Sequence, residues 1–302
     1  MSVIHSRRRA NRFAVLTIGA ACVAAAVACG ARANAGAPGA ALAAAIPPAG
    51  TDTITGVEWV RVAMPSGGAL SAAVARPIGV GPHPVLVILH GTHGFAREYV
   101  ALARDLAREA DVVAVAACWF AGRRGAGVDL VTPIECPEAP PMPSTGMAPE
   151  ALAVVDVLVG AARALPGVRP DRVALLGHSR GAVAALHYAI ERGSPGRGAG
   201  GGLHAVVLNS GAYPPELAAR AAALSIPALL LHGTADGPAE GGSEMTTVAR
   251  ARAFEAALVA ARKVVEAEYF EDARHSALFY NADQRARSIR RIADFLRREG
   301  LK

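Results

Sequence analysis

Residues 177–181 of the chain read Gly-His-Ser-Arg-Gly, which is the spacing of a serine nucleophile turn. They follow an apolar run and pass directly into an alanine-rich helical pattern, which predicts a strand, a sharp turn and a helix with Ser179 at the apex. Glycines flank such a serine because side chains there would collide with the neighbouring strand and helix. The alternative is a turn serine that caps the following helix, so the assignment depends on which other residues can join Ser179.

An acid and a base follow the serine in the chain. Asp236 lies in the segment LLLHGTADG and His275 in the segment YFEDARHSALF, and each follows a run of residues that predicts a strand. In an open parallel sheet the carboxyl ends of the strands meet at one edge, where ligands bind. His275 would take the proton of Ser179 and return it to the leaving group, while Asp236 would orient the imidazole. Weaker alternatives are Asp236 as a simple turn residue, and Glu271 or Asp272 as the partner of His275.

A fourth element, residues 89–94 (LHGTHG), leaves another predicted strand. A tetrahedral intermediate needs two backbone donors for its negative oxygen. We assign them to the amides of Thr92 and Arg180, with the amide of His93 as the alternative to that of Thr92. The spacing of His90 and His93 could suggest a pair of metal ligands, but no cysteine or carboxylate cluster joins them. The sequence therefore predicts neither a metal nor another cofactor.

Four residues near these segments are candidates for the substrate pocket: His93, Trp119, Phe120 and His178. Trp119 and Phe120 come just after a predicted strand, where they could line an acyl pocket or simply pack beneath the loop that follows. That loop, residues 122–149, is long and rich in proline. Because loops of this length in a compact domain are more often functional than idle, we expect it to form one wall of the site.

Strand and helix patterns alternate from residue 56 to the end of the chain. The first two predicted strands, over 57–64 and 70–76, form a hairpin at one edge. The remaining apolar runs are separated by helical patterns, which predicts a mostly parallel sheet with helices on both faces. Eight strands are expected in total.

These elements together resemble the α/β-hydrolase superfamily, nearest to the dienelactone hydrolase and bacterial esterase group. The resemblance covers residues 56–302 and rests on the HG turn, GHSRG, GTADG and the late histidine. It implies an α/β-hydrolase fold without a large cap domain, and a hydrolase that needs no cofactor. Typical dienelactone hydrolases carry cysteine as the nucleophile, so Ser179 favours carboxylic esters, of a small molecule or a polymer, as substrates. Lactone, thioester or peptide hydrolysis on the same triad, or a non-catalytic binding protein, are the alternatives.

The first 35 residues have the pattern of a bacterial export signal. A basic stretch, an apolar stretch over 13–28 and an Ala-Asn-Ala motif ending at Ala35 predict cleavage after that residue. A flexible linker of Ala, Gly and Pro over 36–55 and a periplasmic or secreted product are then expected. Cys29 lies in a partial lipobox, and its acylation would instead attach the protein to a membrane.

Removing this leader changes both the charge and the cysteine count. The whole chain has a net charge of +6, but five of its 31 basic residues and none of its 25 acidic residues lie in the leader, which leaves 26 basic residues. A nucleic-acid partner therefore has no support from charge. Cys118 and Cys136 remain, and an oxidising compartment would let them form a disulfide, with two free thiols as the alternative. No sequence pattern indicates an oligomeric state.

Overall fold

The computed structural model describes residues 42–44, 48, 51, 54–122, 131–194, 201–299 and 301. The chain divides into two units, Met1–Ala35 and Gly36–Lys302, and everything below concerns the second. The predicted leader, with Cys29, lies outside the described residues, as does most of the predicted linker over 36–55. Within the described part of the chain, no helix is both long enough and apolar enough to span a bilayer.

The described residues form one nine-stranded sheet. Its strands are β1 Leu42–Ala44, β2 Glu58–Ala63, β3 Ala69–Ala75, β4 His83–Leu89, β5 Val113–Ala117, β6 Val168–His178, β7 Ala205–Asn209, β8 Ala228–Gly233 and β9 Val265–Phe270. Their spatial order is β1-β2-β3-β5-β4-β6-β7-β8-β9. The first three strands and β5 pair antiparallel, while β5, β4 and β6 to β9 are all parallel. The carboxyl ends of these six parallel strands therefore meet at one edge of the sheet.

Strand β1 raises the number of strands above the eight that were expected. Its residues, Leu42–Ala44, pair antiparallel with β2, opposite Val60, Arg61 and Val62. An edge strand such as β2 offers unpaired N–H and C=O groups to any extended segment that reaches it. Pairing of this kind uses the backbone alone, so a three-residue strand of Leu and Ala needs no side-chain alternation to form.

Seven α-helices are seen in the described segments. They are α1 Arg97–Ala110, α2 Pro149–Arg163, α3 Arg180–Arg192, α4 Pro215–Ala218, α5 Val248–Ala260, α6 Ala277–Tyr280 and α7 Ala282–Arg298. The helices belong to two hydrophobic cores, one on each face of the sheet. Helices α2, α3 and α5 pack on one face, and α1 and α7 pack on the other. Alternate residues of β4 serve the two cores, Val85 and Val87 on the α2 side and Leu86 and Ile88 on the α1 side. Burial of both faces explains why the central strands are continuous apolar runs.

The second half of the long loop after β5 is bonded to the rest of the domain. Residues 123–130 lie outside the described residues, but Cys136 is bonded to Cys118 at the end of β5. The amide of Ile134 also donates to the carbonyl of Phe95 at 2.9 Å, just before α1. The expected disulfide is present, and it holds this part of the loop against the edge of the sheet where the parallel strands end.

Candidate active site

Ser179 sits alone between strand β6 and helix α3, with backbone angles φ 54° and ψ −118°. A positive φ is strained for a residue with a side chain, so the surrounding structure must hold it. A β-carbon at Gly177 would lie 2.2 Å from the carbonyl oxygen of Gly181, and one at Gly181 would lie 2.3 Å from that of Leu89. Only glycine fits at either position. The turn therefore lifts the Ser179 side chain off the sheet edge, as the sequence pattern predicts.

The structure brings Ser179, Asp236 and His275 into one hydrogen-bonded line. The Nε2 of His275 lies 2.9 Å from the Oγ of Ser179, and its Nδ1 lies 3.0 and 2.9 Å from the two carboxylate oxygens of Asp236. An ionised carboxylate can only accept, so Nδ1 carries the proton and Nε2 is left to accept from the serine hydroxyl. Asp236 and His275 are 5% and 7% exposed. This is the arrangement in which an imidazole can remove the serine proton.

A second imidazole lies on the other side of the Asp236 carboxylate. The Nε2 of His232, at the end of β8, lies 2.6 Å from the carbonyl oxygen of Thr246 and 3.4 Å from the Oδ2 of Asp236. Burial lowers the pKa of His232 from its ordinary value, with Asp236 acting in the opposite direction. Because a carbonyl oxygen can only accept, Nε2 is the protonated nitrogen of His232, and it points its N–H toward both acceptors.

The two residues whose amides are assigned to the oxyanion, Thr92 and Arg180, line the same cavity as Ser179. Thr92 lies in the turn after β4, and Arg180 is the first residue of α3. Among the described residues, neither amide donates to a backbone carbonyl. By contrast, the amide of Gly91 donates to the hydroxyl of Tyr99 at 2.9 Å and is not available to a ligand. Because Arg180 is the first residue of α3, an oxygen bound to its amide would lie at the N-terminus of a helix. The helix dipole stabilises a negative charge at that end.

A cavity of about 560 Å³ opens beside Ser179 and His275. Its volume lies within the range of about 300–1,000 Å³ that is usual for small-molecule sites. Five apolar residues contribute to its lining: Met147, Val183, Ala212, Pro214 and Met245. The polar residues of the lining include Thr92, Ser144, Thr145, Ser243 and Ser276, and the charged residues Arg180, Glu216 and Glu240 line it as well. A ligand with an apolar body and a few polar groups would fit such a lining.

The loop between β5 and α2 forms one wall of this cavity, as expected, through residues 144–147. The guanidinium of Arg180 donates to the carbonyl oxygens of Pro143 and Ser144 at 2.9 and 3.0 Å. Gly146 lies so close to helix α3 that a β-carbon there would be 2.8 Å from the amide nitrogen of Ala184. Nothing in the sequence spacing links this wall to the serine turn, because the contact is between backbone of the loop and a helix that follows it.

Three of the four predicted pocket residues do not line the cavity. His93 does, but His178, Trp119 and Phe120 are fully buried away from it. The indole Nε1 of Trp119 donates to the carbonyl oxygen of His90 at 2.9 Å, and the ring of Phe120 packs on the His90 ring with centroids 4.5 Å apart. The two aromatic residues thus support the turn after β4 from beneath, which corrects their assignment as pocket residues.

His178 is corrected for a different reason. As the last residue of β6, it points its ring toward Tyr99 and Phe279 on the α1 side of the sheet.

The residues of the cavity that the sequence did not reveal, such as Met147, Val183 and Met245, come from three separate segments. Their apolar character is shared with the core, so no spacing distinguishes them.

The site has no cluster of side chains that resembles a metal centre in the part of the chain that the structure describes. Among the described residues, no group of three or more His, Cys, Asp or Glu side chains could hold a metal ion. His90 and His93, the pair with suggestive spacing, are engaged separately: the Nδ1 of His90 lies 2.9 Å from the carbonyl oxygen of Gly91, and the Nε2 of His93 lies 2.8 Å from the hydroxyl of Tyr99.

Comparison with known proteins gives one family and several similar folds. A model of the alpha/beta hydrolase family matches residues 86–298. None of the curated proteins matches the chain. A solved structure from Klebsiella pneumoniae, assigned as a dienelactone hydrolase, is 20% identical and superposes with a TM-score of 0.59, over 80% of this chain and 98% of that chain.

Two further solved structures are similar to the same extent. A dienelactone hydrolase-like promiscuous phosphotriesterase from metagenomic libraries is 18% identical with a TM-score of 0.59, and covers 80% of this chain and 97% of that chain. An esterase from Pyrobaculum calidifontis is 16% identical with a TM-score of 0.57, over 82% of this chain and 87% of its own. At these identities the likeness concerns the fold.

Proposed function

Because the chain belongs to the alpha/beta hydrolase family, we propose that it is an exported serine hydrolase that cleaves carboxylic esters. The observation that carries the proposal is the hydrogen-bonded line Ser179–His275–Asp236, which opens directly onto a cavity of about 560 Å³. A strained serine, a neutral imidazole and a buried carboxylate in this order are the parts needed for nucleophilic acyl transfer.

The proposed reaction proceeds in two balanced steps. In the first, the Oγ of Ser179 bonds to the ester carbonyl carbon while its proton passes to the Nε2 of His275. The amides of Thr92 and Arg180 donate to the oxygen that becomes negative. Collapse of the intermediate breaks the bond to the alcohol, which leaves with the proton from His275. In the second step a water molecule, deprotonated by His275, attacks the acyl-enzyme, and the acid is released as Ser179 regains its proton.

Carboxylic esters are preferred over other acyl substrates for two reasons. The lining of the cavity mixes apolar residues with polar ones, three of which are charged (Arg180, Glu216 and Glu240), and such a mixture can hold an ester that has an apolar part and polar substituents. Proteins of similar fold include esterases from Pyrobaculum calidifontis and Rhizomucor miehei. Both considerations support an ester, and the acyl and alcohol parts are to be ranked by experiment.

Export is proposed from two features. The first 35 residues have the pattern of an export signal, and a disulfide joins Cys118 to Cys136. Disulfides persist in oxidising compartments and are rare in the cytosol. N-terminal sequencing of the protein recovered from the periplasm or medium should begin at Gly36. A lipid-modified Cys29 at the N-terminus, or full-length protein in the cytosol, would overturn this part of the proposal.

A fluorophosphonate probe tests the chemistry directly. We expect the probe to label the wild-type protein and not Ser179→Ala, while Ser66→Ala, a change at an exposed turn serine, is labelled like the wild type. Lack of labelling of the wild type would falsify the proposal and favour a binding protein with the same fold. A chain-length series of p-nitrophenyl esters, run beside lactone, thioester and peptide substrates, would then rank the substrate classes.

A further inference from the structure

The hydroxyl of Tyr99, in helix α1, lies at the meeting point of three hydrogen bonds. It accepts from the amide of Gly91 at 2.9 Å, and it lies 2.8 Å from the Nε2 of His93 and 2.9 Å from the Nδ1 of His178. The Tyr99 side chain is fully buried and does not line the cavity. No sequence pattern singles it out, because a tyrosine on the apolar face of a helix has the spacing of a core residue.

The direction of each hydrogen bond follows from the groups at the ends of the network. The Nε2 of His178 lies 3.3 Å from the carbonyl oxygen of His275, which can only accept, so this nitrogen carries the proton. Burial holds the pKa of His178 well below its ordinary value, and the ring is neutral. Its Nδ1 therefore accepts the proton of the Tyr99 hydroxyl. The Nε2 of His93 must then donate to the Tyr99 oxygen, which accepts twice and donates once and is fully satisfied.

The hydrogen bonds of the Tyr99 hydroxyl link it to the turn that carries Thr92, to the residue before Ser179 and, through His178, to the backbone of His275. Gly91 and His93 stand on either side of Thr92, whose amide is assigned to the oxyanion. His178 precedes Ser179, and the other nitrogen of the same ring binds the backbone of His275. Removal of the Tyr99 oxygen would break the hydrogen bonds that connect the turn after β4 to the serine turn and to the loop that carries His275.

The surroundings make the network stiff. The ring of Phe279 packs edge-on against both the Tyr99 and His178 rings, with centroids 4.9 Å apart in each case. The His93 ring stacks on the Tyr99 ring at 5.6 Å. Hydrogen bonds in such a buried, water-poor environment are stronger than at the surface, and an unpaired partner there is costly. Burial also raises the pKa of Tyr99 far above its ordinary value, so its hydroxyl keeps its proton.

We propose that Tyr99 is a positioning residue that holds the amide of Thr92 in register with Ser179 and His275 through its hydrogen bonds to Gly91, His93 and His178. This inference rests on the proposed function, since it assigns Tyr99 a part in the same reaction without contact with the substrate. It acts on the geometry of the transition state and not on substrate binding, because Tyr99 is absent from the cavity wall.

The test removes one oxygen atom. We expect Tyr99→Phe to lower kcat about 10- to 100-fold for the best p-nitrophenyl ester, because small misplacements of reacting groups cost this much. KM should stay within about twofold, since Tyr99 itself does not line the cavity and cannot touch the substrate. Tyr188→Phe is the matched control: Tyr188 is also fully buried, but it lies in α3 next to Asp156, away from the site. A kcat of Tyr99→Phe equal to that of Tyr188→Phe, or a change in KM alone, would overturn the inference.

A second measurement does not depend on turnover. NMR of protein labelled with ¹⁵N-histidine should show His178 and His93 as neutral rings protonated at Nε2, with the His93 signals identified by their loss in His93→Gln. In Tyr99→Phe these signals should shift, and in Tyr188→Phe they should not. If the wild-type His178 is protonated at Nδ1, the network is wrong. This result needs only the wild-type protein, so it can be obtained even if Tyr99→Phe does not fold. A wild type that fails to react with fluorophosphonate would reject the proposed function, while this readout still reports on the network.

Discussion

The guanidinium of Arg180 donates to the Oγ1 of Thr92 at 3.2 Å, so the residue after the serine is bonded to the turn after β4. The same guanidinium holds the carbonyl groups of Pro143 and Ser144. Its burial lowers the pKa of Arg180 from its ordinary value, but an arginine remains charged in a protein. One side chain therefore bonds to both the turn after β4 and a wall of the cavity, in addition to the role proposed for its backbone amide.

Replacing Arg180 with lysine keeps the charge and the backbone amide but removes the planar fork that reaches three acceptors. We expect kcat/KM for the best p-nitrophenyl ester to fall about tenfold, through both kcat and KM, because the turn and the wall are released together. Arg192→Lys, at the other end of α3 in a half-buried pair with Asp156 and outside the cavity lining, should change kcat/KM by less than about twofold. Michaelis kinetics of the two variants decide the matter, and a wild-type KM in Arg180→Lys would show that the wall does not need this contact.

Adding a methyl group at Gly181 should be far more damaging than at another glycine. A β-carbon there would lie 2.3 Å from the carbonyl oxygen of Leu89, and a contact between backbones cannot be relieved by a change of rotamer. We expect Gly181→Ala to lower the free energy of unfolding by about 3 kcal/mol. Gly237→Ala, whose nearest neighbour would be the Thr247 methyl at 3.8 Å, should change it by less than about 0.5 kcal/mol. Urea unfolding measures both, and similar midpoints for the two variants would refute the steric argument.

Acid should destabilise the fold through buried histidines. Burial lowers the pKa of His90 to about 3 and that of His93 to about 4, with a smaller contribution to the latter from His275. An unfolded histidine titrates near 6.5, so the unfolded chain binds protons first as the pH falls. The stability that these residues contribute is complete above about pH 6.5 and is lost as the pH falls toward their folded pKa values. Each should lose about 2 kcal/mol between pH 7 and pH 5.

The measurement compares the free energy of unfolding at the two pH values. His93→Gln keeps an N–H donor near the Nε2 position but cannot titrate, so its loss between pH 7 and pH 5 should be about 2 kcal/mol smaller than that of the wild type. An equal loss in both proteins would mean that His93 is as easily protonated in the folded chain as in the unfolded one.

The disulfide should stabilise both the domain and the cavity wall. Cys118 and Cys136 are 18 residues apart, and closing a loop of that length contributes about 3 kcal/mol in the chain-entropy model. We expect the double variant Cys118→Ala/Cys136→Ser to lose about this much and to show a raised KM, because the wall residues 144–147 follow Cys136. Labelling of Ser179 should persist. Reductant should reproduce both effects in the wild type and change neither in the variant; an unaltered KM would separate the disulfide from the cavity.

The sequence was most informative where hydrophobic runs and chemistry coincide. Strands buried on both faces appear as continuous apolar runs, so the alternation of parallel strands with helices could be predicted. Parallel strands then bring their carboxyl ends together, which is why Ser179, Asp236 and His275 could be grouped without knowledge of the sheet order. Chain order and strand position were sufficient for that step because they are properties of the topology.

Features that depend on side-chain direction or on backbone pairing could not be predicted in this way. Trp119 and Phe120 follow a strand, but whether they face the cavity or lie under the next turn is set by contacts with His90. Tyr99 was invisible because its ring fits a core pattern and its hydroxyl carries the interaction.

The position of His275 after the last strand has a consequence for the timing of activity. Strand β9 and helix α7 frame the loop that carries His275, and both follow Ser179 by more than 80 residues in the chain. A chain still emerging from the ribosome, or cut before β9, would present Ser179 without its base. In the proposed reaction the serine would therefore have no base until β9 and the loop after it have folded, so a copy that is cut before β9 should be inert.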